Sequence, residues 1–200
     1  MPKKVNVVVF DFDGTISARE SNFEFAKYCF RRSIRPWFFL PLIGAATVMR
    51  VLNHPGMWWR ESMRRFLSAE LRDKYLKDFI KQHKRERFGW VAERVAEERA
   101  AGNKVLLISA STNYMVPPLV DDIKFDAILT SQMDDEKPWK YHFLCWGKNK
   151  VIALDRWANE NKVIPVVVRS YSDSSSDMPL MKLAREQVWI DRKTGCRIEK

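Results

Sequence analysis

Short apolar runs that end in polar or acidic residues are the feature that most constrains the fold of this chain. The runs predicted to be buried strands cover residues 4–10, 104–109, 127–130 and 165–171. Helical patterns between or after them cover about 113–122, 149–161 and 178–185. Strands that alternate with helices indicate an α/β fold, in which a parallel sheet carries helices on both faces.

The interval between the first two strands is long and helical in pattern. Residues 21–88 favour helices, and Ser21 is expected to cap the first of them. We therefore predict a Rossmann-like, doubly wound parallel sheet with a helical cap inserted after its first strand. The α/β core comprises residues 1–18 and 89–200, and the cap comprises residues 19–88.

An acidic pair follows the first strand directly. Asp11 and Asp13 stand two residues apart, at the point where ligands bind in a parallel sheet. Their mutual repulsion would be relieved by a hard cation such as Mg2+. One carboxylate can attack phosphorus, and the other can exchange protons with the leaving oxygen and with water. An isolated motif of this kind also fits a plain Asx turn, so the pair alone leaves both interpretations open.

Three further signals follow in order along the chain. Ser109 ends the second strand, where its hydroxyl could bind a phosphate oxygen, and Ser111 has less claim to that role. Lys150 opens a helix, a position that suits a cation only if it meets an anion. Asp173 and Asp177 follow a later strand and suit a hard cation, although Asp177 also fits a helix cap. Each residue alone has a structural explanation, but their order predicts one phosphate-and-metal site assembled from four loops.

The chain resembles the haloacid dehalogenase superfamily of phosphohydrolases. The motifs that carry this resemblance are DFDGT at 11–15, LLISAS at 106–111, GKNKV at 147–151 and YSDSSSD at 171–177. The helical insert is similar to the cap of the phosphoserine-phosphatase-like branch. Members that break carbon–halogen bonds lack the second acid, so Asp13 argues against dehalogenation.

The resemblance implies a role for each motif residue. Asp11 is the expected nucleophile and Asp13 the expected general acid and base. Ser109 and Lys150 are expected to hold the transferring phosphoryl group. The implied ligands of Mg2+ are Asp11, the main-chain carbonyl of Asp13, and Asp173, with Asp177 in support. Ser172 stands where many relatives carry glycine, and we expect metal binding to survive this small change.

The predicted cap is basic and contains the most apolar stretch of the chain. Residues 19–100 carry 18 basic and 10 acidic side chains, so most of the net charge of +10 lies there. The apolar stretch covers residues 37–49, follows Arg31, Arg32 and Arg35, and is shorter than the ~20 residues of a spanning helix. It is either a buried cap helix or an interfacial helix on an anionic membrane. The arrangement resembles bacterial phosphatidylglycerophosphatases, which implies a lipid phosphate monoester as substrate.

Two alternatives stay open at this point. The substrate could be a small soluble phosphomonoester, because Glu20 occupies the place of a substrate-facing acid in amino-acid-specific relatives. Glu20 could equally be an ordinary acid at a helix N-terminus, favoured there by the helix dipole. The protein could also be an inactive fold that binds membrane or nucleic acid through its basic cap. The retained acids, Ser109 and Lys150 argue against this, and nucleic acid is the less expected partner. Sparse cysteine indicates a reducing compartment, so we expect a cytoplasmic protein, in peripheral contact with the inner face of the membrane if the lipid interpretation holds.

Overall fold

A computed structural model of the chain describes residues 2–34, 69–134 and 140–198, together with residues 37, 41, 44, 45, 48 and 137. The strands of this part are β1 (Lys3–Phe10), β2 (Lys104–Thr112), β3 (Ala127–Met133), β4 (Tyr141–Phe143), β5 (Val163–Ser172), β6 (Glu186–Ile190) and β7 (Arg197–Ile198). Its helices are α1 (Ser21–Phe30), α2 (Ala69–His83), α3 (Val91–Ala100), α4 (Val116–Leu119), α5 (Asn149–Glu160) and α6 (Met178–Met181). Short 3₁₀ turns lie at Lys84–Glu86 and Ser175–Asp177.

The strands form one sheet in the order β4-β3-β2-β1-β5-β6-β7. The five central strands are parallel, and the edge strands β4 and β7 are antiparallel to their neighbours. The predicted α/β fold is therefore confirmed. The strands β4 and β7 were not predicted because they are only 3 and 2 residues long, and β6 was missed because it begins with the polar Glu186 and Gln187.

The second half of the central strand β1, residues 7–10, is buried on both faces of the sheet. Val7 and Val9 pack with α5 and α6 on one face, whereas Val8 and Phe10 pack with α3 and the cap helices on the other. Successive side chains of a strand point to opposite faces, so a strand covered on both sides must be apolar at every position. This requirement explains the continuous valine run and places the end of β1 at the centre of the sheet.

Two helices are shorter than the sequence predicted. The pattern at 113–122 gives helix only over Val116–Leu119, because β2 continues to Thr112 and pairs there with Ser131 of β3. The pattern at 178–185 gives helix only over Met178–Met181, because the chain must turn to enter β6. In both places the sheet, rather than local helix propensity, decides where the helix ends.

The described part of the cap consists of α1 and α2, which pack through Phe25 and Phe79 with ring centroids 5.1 Å apart. The chain segments that enter and leave the cap lie side by side, and the main-chain N–H of Phe88 donates to the carbonyl of Ile16 at 2.9 Å. The division into a core of residues 1–18 and 89–200 and a cap of residues 19–88 stays a prediction.

Only five residues of the apolar stretch 37–49 are described. Residues 41, 44, 45 and 48 are helical and follow the spacing of one helix face, and together with Trp37 all of them are exposed. The rest of the stretch lies outside the described residues. Across the part of the chain that is described, no helix is both long and apolar enough to cross a membrane.

Candidate active site

A buried lysine joins two acidic loops at the carboxyl end of the sheet. Lys150 lies in the first turn of α5, and its side chain is only 2% exposed. Its Nζ donates to Asp11 Oδ1 at 2.7 Å and to Asp177 Oδ2 at 2.6 Å. Asp177 occupies the N-cap position of α6 without a capping bond from its side chain, and instead it also accepts from Ser172 Oγ at 2.8 Å. Ser172, the departure noted in the fourth motif, thus orients Asp177.

Burial and charge act against each other in this group. Burial alone would lower the pKa of Lys150, but the two neighbouring carboxylates outweigh it and raise that pKa, so the ammonium keeps its charge. Burial also raises the pKa of Asp11, and Lys150 opposes this rise. The Asp11 carboxyl group is therefore desolvated, and the adjacent cation is what favours its ionised, nucleophilic form. This environment suits an oxygen nucleophile that must approach an anionic group.

Asp13 faces away from this cluster, toward the cap and β2. Its Oδ1 accepts from the main-chain N–H of Ser21 at 2.7 Å, and its Oδ2 accepts from Ser111 Oγ at 2.5 Å. Burial raises the pKa of Asp13, and the bonds from Ser111 and Ser21 oppose that rise. A carboxyl group with a raised pKa holds its proton more readily, as a general acid must.

Two residues near Asp13 have roles that the sequence did not predict. Ser21 was expected to cap α1, but Glu20 occupies the N-cap position, and Ser21 Oγ instead lies 3.0 Å from Ser111 Oγ. Ser111 had been given less weight than Ser109, yet Ser111 contacts Asp13, whereas Ser109 Oγ accepts from the N–H of Ser111 at 3.1 Å. The pairing of β2 with β3 is irregular between Ser109 and Thr112, so strand alternation gave no signal for the role of Ser111.

Asp173 packs directly against the loop that follows β1. Its main-chain N–H donates to Thr15 Oγ1 at 3.1 Å. Gly14 adopts a positive φ of 81°, and a Cβ at that position would lie only 2.3 Å from Asp173 Oδ2. Glycine is therefore required here both by the backbone conformation and by the close approach of the carboxylate.

An arginine that the sequence did not predict also reaches this position. Arg192 follows β6, and its Nε donates to Asp173 Oδ2 at 3.0 Å. Its Nη1 donates to Glu20 Oε1 at 3.2 Å, so the guanidinium bridges a core loop and the start of the cap. Burial raises the pKa of Asp173, and Arg192 opposes this rise. No local pattern marks Arg192, because it lies in a surface turn far along the chain from Asp173.

The predicted residues, together with Arg192, thus fall into three groups, and the members of each group are hydrogen-bonded to one another. These are Asp11 with Lys150 and Asp177, Asp13 with Ser111 and Ser109, and Asp173 with Arg192 and Glu20. All three groups lie on loops or element ends that follow the central strands or open a helix.

The oxygen donors of the site fit a hard divalent cation. Among the described residues, no cluster of three or more His, Cys, Asp or Glu side chains is arranged to hold a metal. The set that the resemblance implies is Asp11, Asp173 and the main-chain carbonyl of Asp13, with Asp177 in support, and Asp177 here accepts a bond from Lys150. Such ligands suit Mg2+. The close packing of Asp173 on Gly14, and the cationic Arg192 drawn to the same carboxylate, mark a position where positive charge is stabilised.

Comparisons with known proteins identify the family and the fold of the chain. The family model described as haloacid dehalogenase-like hydrolase matches residues 8–182. A solved structure of a protein of unknown function from Bordetella pertussis Tohama I has a TM-score of 0.74 at 16% identity, covering 95% of this chain and 91% of the other. A phospho-aspartyl intermediate analogue of phosphoserine phosphatase has a TM-score of 0.64 at 17% identity, covering 94% and 87%. A probable phosphoserine phosphatase from Vibrio cholerae has a TM-score of 0.67 at 15% identity, covering 93% and 56%. No curated protein matches the chain.

Proposed function

We propose that this chain, which belongs to the haloacid dehalogenase-like hydrolase family, is a Mg2+-dependent phosphomonoester hydrolase that forms an aspartyl-phosphate on Asp11. The observation that carries the proposal is the buried Lys150, bonded at once to Asp11 and Asp177. A carboxylate can attack an anionic phosphate only where positive charge offsets the repulsion between them. Lys150 supplies such a charge within bonding distance of the nucleophile.

The chemistry divides between the two acids of the first loop. Asp11 attacks phosphorus in line, and the bond from phosphorus to the leaving oxygen breaks as the new P–O bond forms. Asp13 donates its proton to that leaving oxygen, and then removes a proton from the water that hydrolyses the aspartyl-phosphate. Lys150 and Ser109 hold the phosphoryl oxygens, while Asp177 keeps Lys150 in place.

Mg2+, when bound by Asp11, Asp173 and the carbonyl of Asp13, would supply further positive charge to the phosphoryl oxygens. The contact of Ser111 with Asp13 keeps the acid oriented toward the cap side of the site, where the leaving group must lie. The cap is therefore the part of the chain expected to select the substrate.

Replacement of the nucleophile tests the reaction. Asp11→Asn keeps the shape of the side chain and can still accept a bond from Lys150, so we expect the fold to persist while turnover of p-nitrophenyl phosphate with Mg2+ falls by about 10³-fold or more. Asp155→Asn, which changes an exposed acid on α5, is the matched control and should retain activity. Near-normal turnover of Asp11→Asn would refute the nucleophile assignment. A folded wild-type protein with no turnover of any phosphomonoester would favour the binding protein instead.

For the substrate, we propose a phospholipid monophosphate such as phosphatidylglycerophosphate. Support comes from the exposed apolar side chains of the cap, among which Ile34 is 75%, Trp37 55% and Val48 57% exposed. Arg31 and Arg32 are exposed beside them. Exposed apolar side chains next to basic residues are typical of proteins that contact anionic lipid surfaces. A cap that meets the membrane would place the active site near lipid headgroups.

Vesicle binding and a substrate screen test this part separately. We expect the protein to co-sediment with phosphatidylcholine vesicles that contain phosphatidylglycerol at low salt, and less with phosphatidylcholine alone. Trp37→Glu should weaken binding, whereas Ile164→Glu, which alters an exposed apolar residue of β5, should not. Absence of binding at low salt would refute the membrane contact.

The second candidate substrate is a small phosphomonoester such as phosphoserine. The observation that favours it is the position of Glu20, whose carboxylate accepts a bond from Arg192, which also donates to Asp173. A carboxylate and a guanidinium side by side could receive the amino and carboxyl groups of an amino acid. The screen decides between the candidates, because kcat/KM should be much higher for phosphatidylglycerophosphate in micelles than for phosphoserine if the lipid proposal is correct.

A further inference from the structure

Arg192 is held in place by a rigid turn between β6 and β7. The carboxylate of Asp191 accepts from the N–H of Lys193 at 2.9 Å and from the N–H and hydroxyl of Thr194 at 2.8 and 3.0 Å. Gly195 has a φ of 71°, and a Cβ there would lie 2.4 Å from the ring of Phe88. The turn is therefore fixed by its own bonds and seated on the segment that leaves the cap. A side chain built on such a turn has a defined position.

The two partners of Arg192 differ in what they are expected to do. Asp173 is the expected metal ligand on the core, and its side chain is 8% exposed. Glu20 lies at the N-terminus of the first cap helix and is largely exposed. One guanidinium thus connects a buried core carboxylate with an exposed acid at the start of the cap. Because a guanidinium stays protonated in proteins, this positive charge is present at every pH.

We infer that Arg192 is a positioning residue that competes with the divalent cation for Asp173 and transfers to Glu20 when the cation binds. Two cations at one carboxylate repel each other, so binding of the metal must weaken the bond from Arg192 to Asp173. By thermodynamic reciprocity, Arg192 lowers the affinity for the metal by the same factor. Glu20 provides the displaced guanidinium with a second carboxylate already within bonding distance. Binding of the metal is in this way linked to Glu20, which lies at the start of the first cap helix.

This inference rests on the proposed metal site, and direct titration of the substrate-free protein with MgCl2 in a calorimeter tests it. Arg192→Ala should tighten Mg2+ binding by about 5-fold or more, the lower end of ordinary coupling between sites. The opposite role, in which Arg192 merely holds Asp173 ready for the metal, predicts weaker binding in the same variant. Lys193→Ala removes an equal charge from the same turn without a contact to Asp173, and should change the Kd by less than about 2-fold.

A double-mutant cycle tests the part played by Glu20. Glu20→Gln should weaken Mg2+ binding in the wild-type background, because Arg192 then bonds to Asp173 alone. In the Arg192→Ala background the same substitution should have a clearly smaller effect, and the remaining effect measures the direct influence of the lost acid charge on the metal. Equal effects of Glu20→Gln in both backgrounds would overturn the proposed transfer.

The outcomes separate this inference from the proposed function. Wild-type protein that binds no Mg2+, or whose binding is unchanged by Asp173→Asn, would overturn the metal site and this inference with it. Wild-type binding that requires Asp173, combined with unchanged or weaker binding in Arg192→Ala, would overturn the inference and leave the metal site standing. Circular dichroism of each variant confirms that the compared proteins are folded.

Discussion

Replacing Lys150 with methionine would leave two buried carboxylates without their common counter-ion. Methionine has a similar length and keeps the packing, so the substitution changes mainly the charge. In the wild-type protein the ammonium bonds to Asp11 and Asp177, whose side chains are 11% and 4% exposed. Removing one partner of a buried ion pair costs about 3–5 kcal/mol, because the remaining charge stays in a poorly solvating environment.

This loss is large against the stability of an ordinary domain, which is about 5–15 kcal/mol. For a domain of this size each kcal/mol lowers the melting temperature by about 2–4 °C, so Lys150→Met should melt about 6–20 °C below wild type. The double variant Lys150→Met, Asp177→Asn should recover part of the loss. The amide of the new asparagine carries no charge and can still accept the bond from Ser172.

The defect should depend on pH in a defined direction. Burial already raises the pKa of Asp11 in the wild-type protein, and the loss of Lys150 removes the main opposing charge. The folded variant then binds more protons than the unfolded chain at every pH between about 3.9, the unfolded value, and the higher folded value. In that window the free energy of unfolding falls as the pH rises. In the wild-type protein the pKa of Asp11 is already raised to about 8, so both folded proteins hold this proton at lower pH. The stability of the variant relative to wild type should therefore fall mainly as the pH rises above about 8.

Urea unfolding of wild type, Lys150→Met and Lys148→Met at pH 7 and 9.5 checks these expectations. Lys148 is exposed and precedes α5, so its substitution controls for the loss of one positive charge in the same segment. Equal stability of the two lysine variants at pH 9.5, or a Lys150→Met defect that does not grow between the two pH values, would refute the reasoning. Phosphatase turnover should also fall in Lys150→Met at every pH.

Two further predictions concern the loop at the site and the return from the cap. Gly14→Ala should lose more stability and more Mg2+-dependent activity than Gly102→Ala, as measured by urea unfolding and turnover. Both glycines have φ near +80°, a conformation that costs an alanine about 1–2 kcal/mol. Only at Gly14 does the new Cβ also collide with Asp173. Equal effects would show that the collision is unimportant. Asp122→Asn should cost about 0.5–1 kcal/mol at pH 7, because Arg87 bonds both oxygens at 2.6 and 2.8 Å and lowers the pKa of Asp122 to about 2. Since this carboxyl is half exposed, its contribution to stability is small. The contribution is present above the unfolded pKa near 3.9 and is lost as the pH falls toward 2. A destabilisation by Asp122→Asn that persists at pH 2 would contradict this prediction.

Sequence patterns identified the central part of the fold well and its edges poorly. The strand that ends at Phe10 and the strand that ends near Ser109 were predicted, because both faces of the central sheet must be apolar and the runs are long. The strand β6 was missed, since five residues that begin with Glu186 and Gln187 show no clear pattern. The helix at Val116–Leu119 was predicted too long, because propensity carries no information about where the sheet requires the chain to turn.

Local patterns also placed Asp11, Asp13, Lys150 and Asp173 at element ends, where an acid or a lysine is chemically conspicuous. They could not reveal Arg192, and they ranked Ser111 below Ser109. Those two side chains gain significance only from their partners, and the partners lie far away in sequence.

By itself, then, the order of residues determined the type of sheet, the presence of an insert after β1, and the acidic and basic residues available at the strand ends. Tertiary structure alone decided how these charges are paired: Lys150 with Asp11 and Asp177, and Arg192 with Asp173 and Glu20. The physical reason is that alternation and periodicity record which face of a strand or helix is buried. Which charges meet depends on strand order and register, and these arise only when segments distant in sequence pack together.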